Sequence, residues 1–553
     1  MPLTAQTAPV PEADRESPEE SFLIKDNKGK NLLDSQFRET DSPNTAGADK
    51  SHRRGSRQKT KYPDSPPKGD RQKSVGRNAV LNVVRVACQI ILPMVTLPYC
   101  SRILQVENMG KVNFAFSLVT FFALLADLGV SVYGVREGTK RSLSRRRFDR
   151  FASEVFAVNI LMTAVSYALL ALIMFLVPGL RQYVAVVGVQ SLFILFTTMG
   201  IEWVNAVYED YFFIAVRTIL IQVLYTASVF ILVRRQEDYL LFTFLTVMVT
   251  GAASIANWIY CRRYVTIRPV PEGIRKHFRP MSVFFANNMA ITVYVNADMA
   301  MLGLFCGDYY TGIYGSSMRI YQCMKTLMTA IYTVTIPRLS MHAAKGEKEP
   351  FRRLLTDVCA SILLLIVPVI VGLILYADDI MELVFGASYL PGALSLQLLA
   401  AALLFAVGNG IAVNCVNAPL GEERVSMMAT ICAAVSNVAL NLFMIPLFKE
   451  IGAAVTTIAA EALVLVICLV RLPGWSRLLD LRVLGRNTLH TVAGALFLAA
   501  VRLIFAPRIA SLPVRMAAAI LVSAAGYGIV LLLLRNEYLI GILRRKKQGK
   551  AAE

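Results

Sequence analysis

The residues most able to do chemistry here are a few charges and amides set in apolar surroundings. Asn78, Asn82, Arg85 and Gln89 follow one another at steps of four, three and four residues, which places all four on one face of a helix. Arg319, Gln322, Thr326, Thr329 and Thr333 make a second polar stripe, with Lys325 beside it. Guanidinium and ammonium groups are natural partners of phosphate oxygens. The expectation is a cationic cavity for an anionic ligand, built from Arg85, Arg319 and Lys325, with Asn82, Gln89 and Gln322 as hydrogen-bonding neighbours. A hydrogen-bonded seam between helices is the competing reading of the first stripe. Asp127 and Asp298 also lie in apolar stretches. They either pair with these cations or take up a proton or Na⁺. Glu461 is a weaker candidate of the same kind, and Arg217 reads as a snorkelling side chain near a helix end. Pro93 and Pro98 fall in one apolar stretch and are expected to form a hinge.

The remaining chemistry is mostly exclusion. Nine cysteines are scattered singly, without a CxxC, and the four histidines lie far apart. That spacing points to no metal site and no redox site. There is no phosphate-binding glycine loop, so ATP hydrolysis is not expected. No catalytic constellation is present, and the expectation is neither an enzyme nor a cofactor protein. The formal net charge is +19, but the cations sit in short loops between apolar runs, and no nucleic-acid motif accompanies them.

The elements that must hold such charges follow from composition. Of 553 residues, 55% are hydrophobic and only 17% charged, against about 25% in ordinary soluble domains. The mean hydropathy is +0.52. So little charge cannot cover a water-facing surface on a chain this long, so the apolar excess must face lipid. From position 78 onward, apolar stretches of about 20 residues recur, each long enough to cross a bilayer. About fourteen such stretches are expected, the second of them at 112–134 and containing Asp127. Residues 1–77 differ: they are polar, without a sustained apolar period, and read as a disordered cytoplasmic tail. Loops around 136–150, 262–279, 338–353 and 471–486 are rich in Arg and Lys. An even number of spans puts all of them, and both termini, in the cytoplasm. Arg234, Arg235, Arg508 and Arg515 are exceptions that land on the other side.

The chain also resembles itself. The segment from Gly110 to Ser117 opens the second span, and Thr311-Gly312 to Ser317 opens the eighth, each after a short loop carrying an acid, Glu107 or Asp308. Two six-helix halves of the same orientation fit this pattern.

Further segments carry a family resemblance. They are Leu92 to Ile103 with Pro93, Pro98 and Arg102, then Asp127-Leu-Gly129, Asn296-Ala-Asp298, Phe385-Gly386-Ala-Ser-Tyr389, and Asn437 and Asn441 with Pro446 and Gly452. Over roughly 78–475 the chain resembles the polysaccharide (O-antigen, Wzx-type) flippases of the multidrug/oligosaccharidyl-lipid/polysaccharide exporter superfamily. The resemblance implies an all-α, two-lobed fold like that of the multidrug exporters. Its lobes would span 78–265 and 266–475, with an extra helix pair and basic C-terminus over 476–553. It implies alternating-access translocation of a polyprenyl-pyrophosphate-linked oligosaccharide across the plasma membrane. Three drives stay open, H⁺ or Na⁺ as coupling ion or the substrate gradient alone, and a polysaccharide polymerase complex is a candidate partner. A lipid II or spore-cortex flippase and a multidrug or cation antiporter are the alternatives within that fold. A polymerase or ligase, and a transport-inactive scaffold, are alternatives outside it.

Overall fold

The computed structural model describes residues 75–268, 273–472, 474–505 and 511–541. The expected polar tail and the basic cluster at 544–547 lie outside the described residues. Among those described, every regular element is helical. The first two long helices are α1 (75–104) and α2 (106–127), divided by Gln105 at φ 64°. Next come α3 (Arg145–Leu176), α4 (Val184–Met199), α5 (Tyr211–Leu232) and α6 (Tyr239–Cys261). The second half holds α7 (Ile274–Phe305), α8 (Asp308–Thr333), α9 (Lys348–Leu375) and α10 (Ala393–Ile411), the last running into a π-helical turn at Ala412–Asn417. There follow α11 (423–448) and α12 (450–471), divided by Lys449 at φ 52°, then α13 (Leu481–Phe505) and α14 (Leu512–Leu533).

Ten helices among the described residues are long and apolar enough to span a membrane. Two of these ten are the bent pairs α1/α2 and α11/α12, which supply two further spans. That leaves α7 and α8, with 32 and 26 residues, long enough to cross but too polar to satisfy an apolarity criterion. Together they make fourteen, in agreement with the count expected from sequence. The two most polar spans are adjacent in the chain, and both carry residues expected at the site.

Each half has its own core. Cys100, Phe114, Ile194 and Val229 pack together in the first half, and a further cluster around Phe148 and Trp203 takes in Met281 of α7 from the second. Tyr314, Leu339, Leu396 and Ile445 belong to the core of the second. The helix pair α13/α14 contributes Val501, Met516 and Ala519 to a small cluster with Tyr376. Arg502 and Arg515 both bond the carboxylate of the buried Asp379, with Arg515 Nη2 at 2.6 Å. This accounts for Arg515 standing on the face otherwise poor in cations: its charge is neutralised in place.

The halves meet through a contact that the sequence repeat explains. A Cβ on Gly110 of α2 would lie 1.9 Å from the Asp308 carbonyl oxygen, and one on Gly312 of α8 2.2 Å from the Val106 carbonyl oxygen. Positions 110 and 312 are 202 residues apart, and so are 106 and 308. The two contacts therefore exchange when one half is laid on the other. Asn113 and Gly315 are also 202 apart and face each other, Asn113 Nδ2 lying 2.3 Å from where a Gly315 Cβ would be. Backbones approach this closely only where a side chain is missing. The α2–α8 contact thus marks a local two-fold relation between the lobes.

The α2 helix ends earlier than expected. Leu128 and Gly129 have φ of 44° and 79°, and a short helix, Val130–Arg141, starts afresh beyond them. Asp127 is accordingly the last residue of α2 rather than an interior one. Its carboxylate accepts from Ser131 Oγ at 2.7 Å and from the Gly129 N–H at 3.1 Å, closing the turn between the two helices.

The glycine contact is testable. Gly312→Val drives two methyl groups into the Val106 carbonyl, with an overpacking cost of about 2–3 kcal/mol. The thermal midpoint in detergent should fall by several degrees. Gly188→Ala, where nothing lies within 4 Å, should leave it unchanged. Equal midpoints for the two variants would contradict the contact.

Candidate functional site

Four helices wall a cavity of about 360 Å³ between the lobes. α1 brings Gln89 and Pro93, α2 brings Asn113, α7 brings Asn296, and α8 brings Arg319 and Gln322. Arg319 lies eleven residues into α8, about 16 Å along its axis at 1.5 Å per residue, far from either helix end. Its Nη2 donates to Asn113 Oδ1 at 3.1 Å. Among the described residues that amide is its only hydrogen-bond partner, and no carboxylate pairs with it. The cation thus sits beside the glycine contact, held by the amide that the contact positions.

A larger cavity of about 760 Å³ continues from Gln89, which lines both. It reaches towards the face that carries the basic loops. Arg85, Asp127, Glu202 and Arg217 line it, with Asn159 and Thr292. Arg217 is buried, bonds a Glu202 carboxylate oxygen, and donates to the Ala253 carbonyl at 3.1 Å. Its Nε is left without a partner. This wall holds two cations and two carboxylates, so its charge is balanced. Arg85 and Gln89 share it, as their common stripe requires. The side chains of Asn78 and Asn82 lie outside the described residues.

Lys325 is placed differently from Arg319. Its Nζ bonds Glu461 Oε1 of α12 at 2.6 Å. The same oxygen accepts from Tyr321 OH at 2.7 Å, and Asn409 Nδ2 donates to the other carboxylate oxygen. Lys325 is therefore engaged in an ion pair inside the second lobe. The two cations of α8 have separate roles: Lys325 ties α8 to α12, while Arg319 faces the gap between lobes.

Among the described residues Asp298 is paired with no cation. It is 1% exposed. Tyr314 OH and Thr457 Oγ1 donate to its Oδ2 at 2.9 and 2.8 Å, and Asn441 Nδ2 to its Oδ1 at 2.7 Å. Asn441 is held in turn by Asn437 at 3.0 Å. The motif residues of α7 and α11 thus form one buried polar knot with α8 and α12.

Pro93 lines the smaller cavity. Thr96 and Ser101 bond the carbonyls of Pro93 and Leu97 at 3.0 and 2.6 Å, supplementing hydrogen bonding in a stretch where both prolines lack an N–H.

Sequence reasoning missed Glu202, Arg217 as a cavity residue, and Asn113. Glu202 and Arg217 lie 15 residues apart on either side of the short connection at 208–210, and no periodicity announces such a pair. Asn113 was within reach, since it lies inside the repeated segment that opens α2.

The comparisons with known proteins agree with this architecture. A family described as "Polysaccharide biosynthesis protein" matches residues 75–343. The putative O-antigen transporter of Escherichia coli K12 is 21% identical over 399 residues, covering 71% of this chain and 95% of that one. The probable low-salt glycan biosynthesis flippase Agl15 of Haloferax volcanii is 26% identical over 160 residues, 29% of this chain but only 34% of that protein. Among solved structures, the lipid II flippase MurJ in an inward closed conformation superposes with a TM-score of 0.67 at 14% identity, over 83% of this chain and 99% of that one. An inward-facing multidrug resistance MATE family transporter gives 0.50 at 14% identity, over 70% and 97%. Both structural likenesses speak to the fold alone. By its sequence relatives and its motifs, the chain is similar to polysaccharide biosynthesis proteins over residues 75–343 and to O-antigen transporters and glycan flippases.

Proposed function

We propose that the protein translocates a polyprenyl-pyrophosphate-linked oligosaccharide across the cell membrane, with both termini in the cytoplasm. The lobes, at 78–265 and 266–475, exchange access to a cavity between them. The observation that carries this reading is Arg319. A cation at the middle of a membrane helix costs roughly 2.5–3.5 kcal/mol on insertion scales, and here no carboxylate offsets it. An anionic ligand entering between the lobes supplies the missing charge, and a pyrophosphate presents several acceptor oxygens to the guanidinium fork. The balanced pairs around it, Arg217–Glu202 and Lys325–Glu461, have no such need.

Coupling is assigned to Asp298. A buried carboxylate surrounded by neutral groups keeps its charge only at high cost, and a proton or Na⁺ joining it relieves that cost. The oxygens of Thr457 and Tyr314 suit a hard cation. α7 also lines both cavities through Thr292 and Asn296, so a change in cation occupancy reaches the helix that bounds the substrate path.

Arg319→Gln should abolish surface glycan in a strain relying on this protein, with its membrane level unchanged on immunoblots. The double variant Lys325→Met/Glu461→Leu removes an ion pair as a unit and should retain export. Export by Arg319→Gln equal to wild type would refute the assignment. For coupling, the purified wild type should show a thermal midpoint that responds to NaCl over choline chloride, or to pH, while Asp298→Asn loses that response. Identical curves for the two proteins would remove Asp298 from the coupling role.

A further inference from the structure

A third cavity, of about 480 Å³, lies apart from the first two at the basic face. Its cations come from three elements. Arg141 ends the short helix Val130–Arg141, Arg147 and Arg150 belong to the first turns of α3, and Lys276 to the first turn of α7. Tyr133 and His277 complete the polar wall.

The acids nearby do not neutralise this set. Glu154, buried at 3% exposure, takes Arg150 Nε at 3.0 Å, Lys276 Nζ at 2.7 Å and His277 Nε2 at 2.9 Å. Glu137 takes Arg141 at 2.9 Å and Lys140 at 2.7 Å, and these two cations hold its carboxyl below the usual range. Arg147 is exposed and has no hydrogen-bond or ion-pair partner among the described residues. Four lining cations therefore meet two carboxylates, and one guanidinium is wholly uncommitted. The first turn of α3 carries Arg145, Arg146 and Arg147 and no acid, against the preference of a helix start for negative charge. An anion beside it would reverse that penalty.

The floor of the cavity is rigid. Tyr133 OH lies 2.8 Å from His277 Nδ1, and His277 reaches on to Glu154. Gly273 starts α7 at φ 87°, with its missing Cβ only 3.0 Å from Glu154 Oε1. The first turn of α7 is thus clamped to α3, and the cations stand around that clamp.

We propose that this cavity binds a phosphoryl group, supplied by a lipid headgroup at the bilayer surface or by free phosphate. The group would bridge Arg147 to Arg150 and Lys276, joining α3 to α7 at a site separate from the Arg319 cavity. The site does not depend on the transport reading, since none of its groups contacts the path between the lobes. The site lies at the starts of α3 and α7, and cations at the end of a membrane helix attract anionic headgroups. Its occupant would strengthen the docking of α7, the helix that carries Asp298.

The test uses full-length protein in phosphatidylcholine nanodiscs containing phosphatidylglycerol, with native mass spectrometry counting retained phosphatidylglycerol. A second arm titrates inorganic phosphate against the thermal midpoint in neutral detergent. Arg147→Gln should weaken one of these responses roughly fivefold, the expected effect of one cation at an anionic surface. Arg147→Lys should keep most of it, and Arg146→Gln, an exposed neighbour outside the cavity, should leave it unchanged. Loss in the first arm identifies a lipid source, and loss in the second a free phosphate. If Arg146→Gln and Arg147→Gln behave alike in both arms, the cations act only as diffuse surface charge and the proposal fails.

Discussion

Much of this architecture follows from the difficulty of keeping one guanidinium in a low-dielectric gap without a counter-ion. Arg319 has an amide oxygen as its fixed partner. An amide orients a cation but does not neutralise it. Around it, other deep cations are paired internally, Lys325 by Glu461 and Arg217 by Glu202, and the buried Asp379 is met by two arginines. The contrast gives Arg319 its meaning. Arg319, unlike Lys325 and Arg217, meets no carboxylate among the described residues, and it stands where the two lobes face each other.

The position of that charge depends on the glycine contact. Gly110 and Gly312 let α2 and α8 touch backbone to backbone, and Asn113 and Gly315 lie one turn further along the same seam. Arg319 follows one turn beyond Gly315 on α8. Duplication of a six-helix unit brings equivalent segments face to face at a two-fold axis. Small residues are favoured there because each side chain would meet a copy of its own surroundings. Arg319 has no counterpart in the other half: position 117, equivalent to 319, is a serine. The fold is symmetric at its seam and asymmetric in its charge at position 319.

The sequence made the helices and their repeat legible because lipid imposes a length and a composition that survive in one dimension. The stripe of Arg85 and Gln89 was equally legible, since helical spacing alone puts them on one wall. Other features needed three dimensions. Lys325 and Arg319 share a helix, and only the position of Glu461, 136 residues away, separates their roles. Asp127 read as an intramembrane acid because the apolar run continues past it, whereas the backbone turns at Leu128 and Gly129. Arg217 read as a snorkelling cation because its distance from the helix end is visible in sequence, while the loop that folds Glu202 against it is not.

The central claim, that an anionic headgroup completes the charge of the inter-lobe cavity, is tested most directly in proteoliposomes. A fluorescent polyprenyl-pyrophosphate oligosaccharide is followed by the accessibility of its label to a membrane-impermeant quencher. The account predicts that wild-type protein exchanges this lipid between leaflets, that Arg319→Gln does not, and that the same sugar on an uncharged lipid remains in place with either protein. Equal exchange of charged and uncharged lipids, or undiminished exchange by Arg319→Gln, would contradict it.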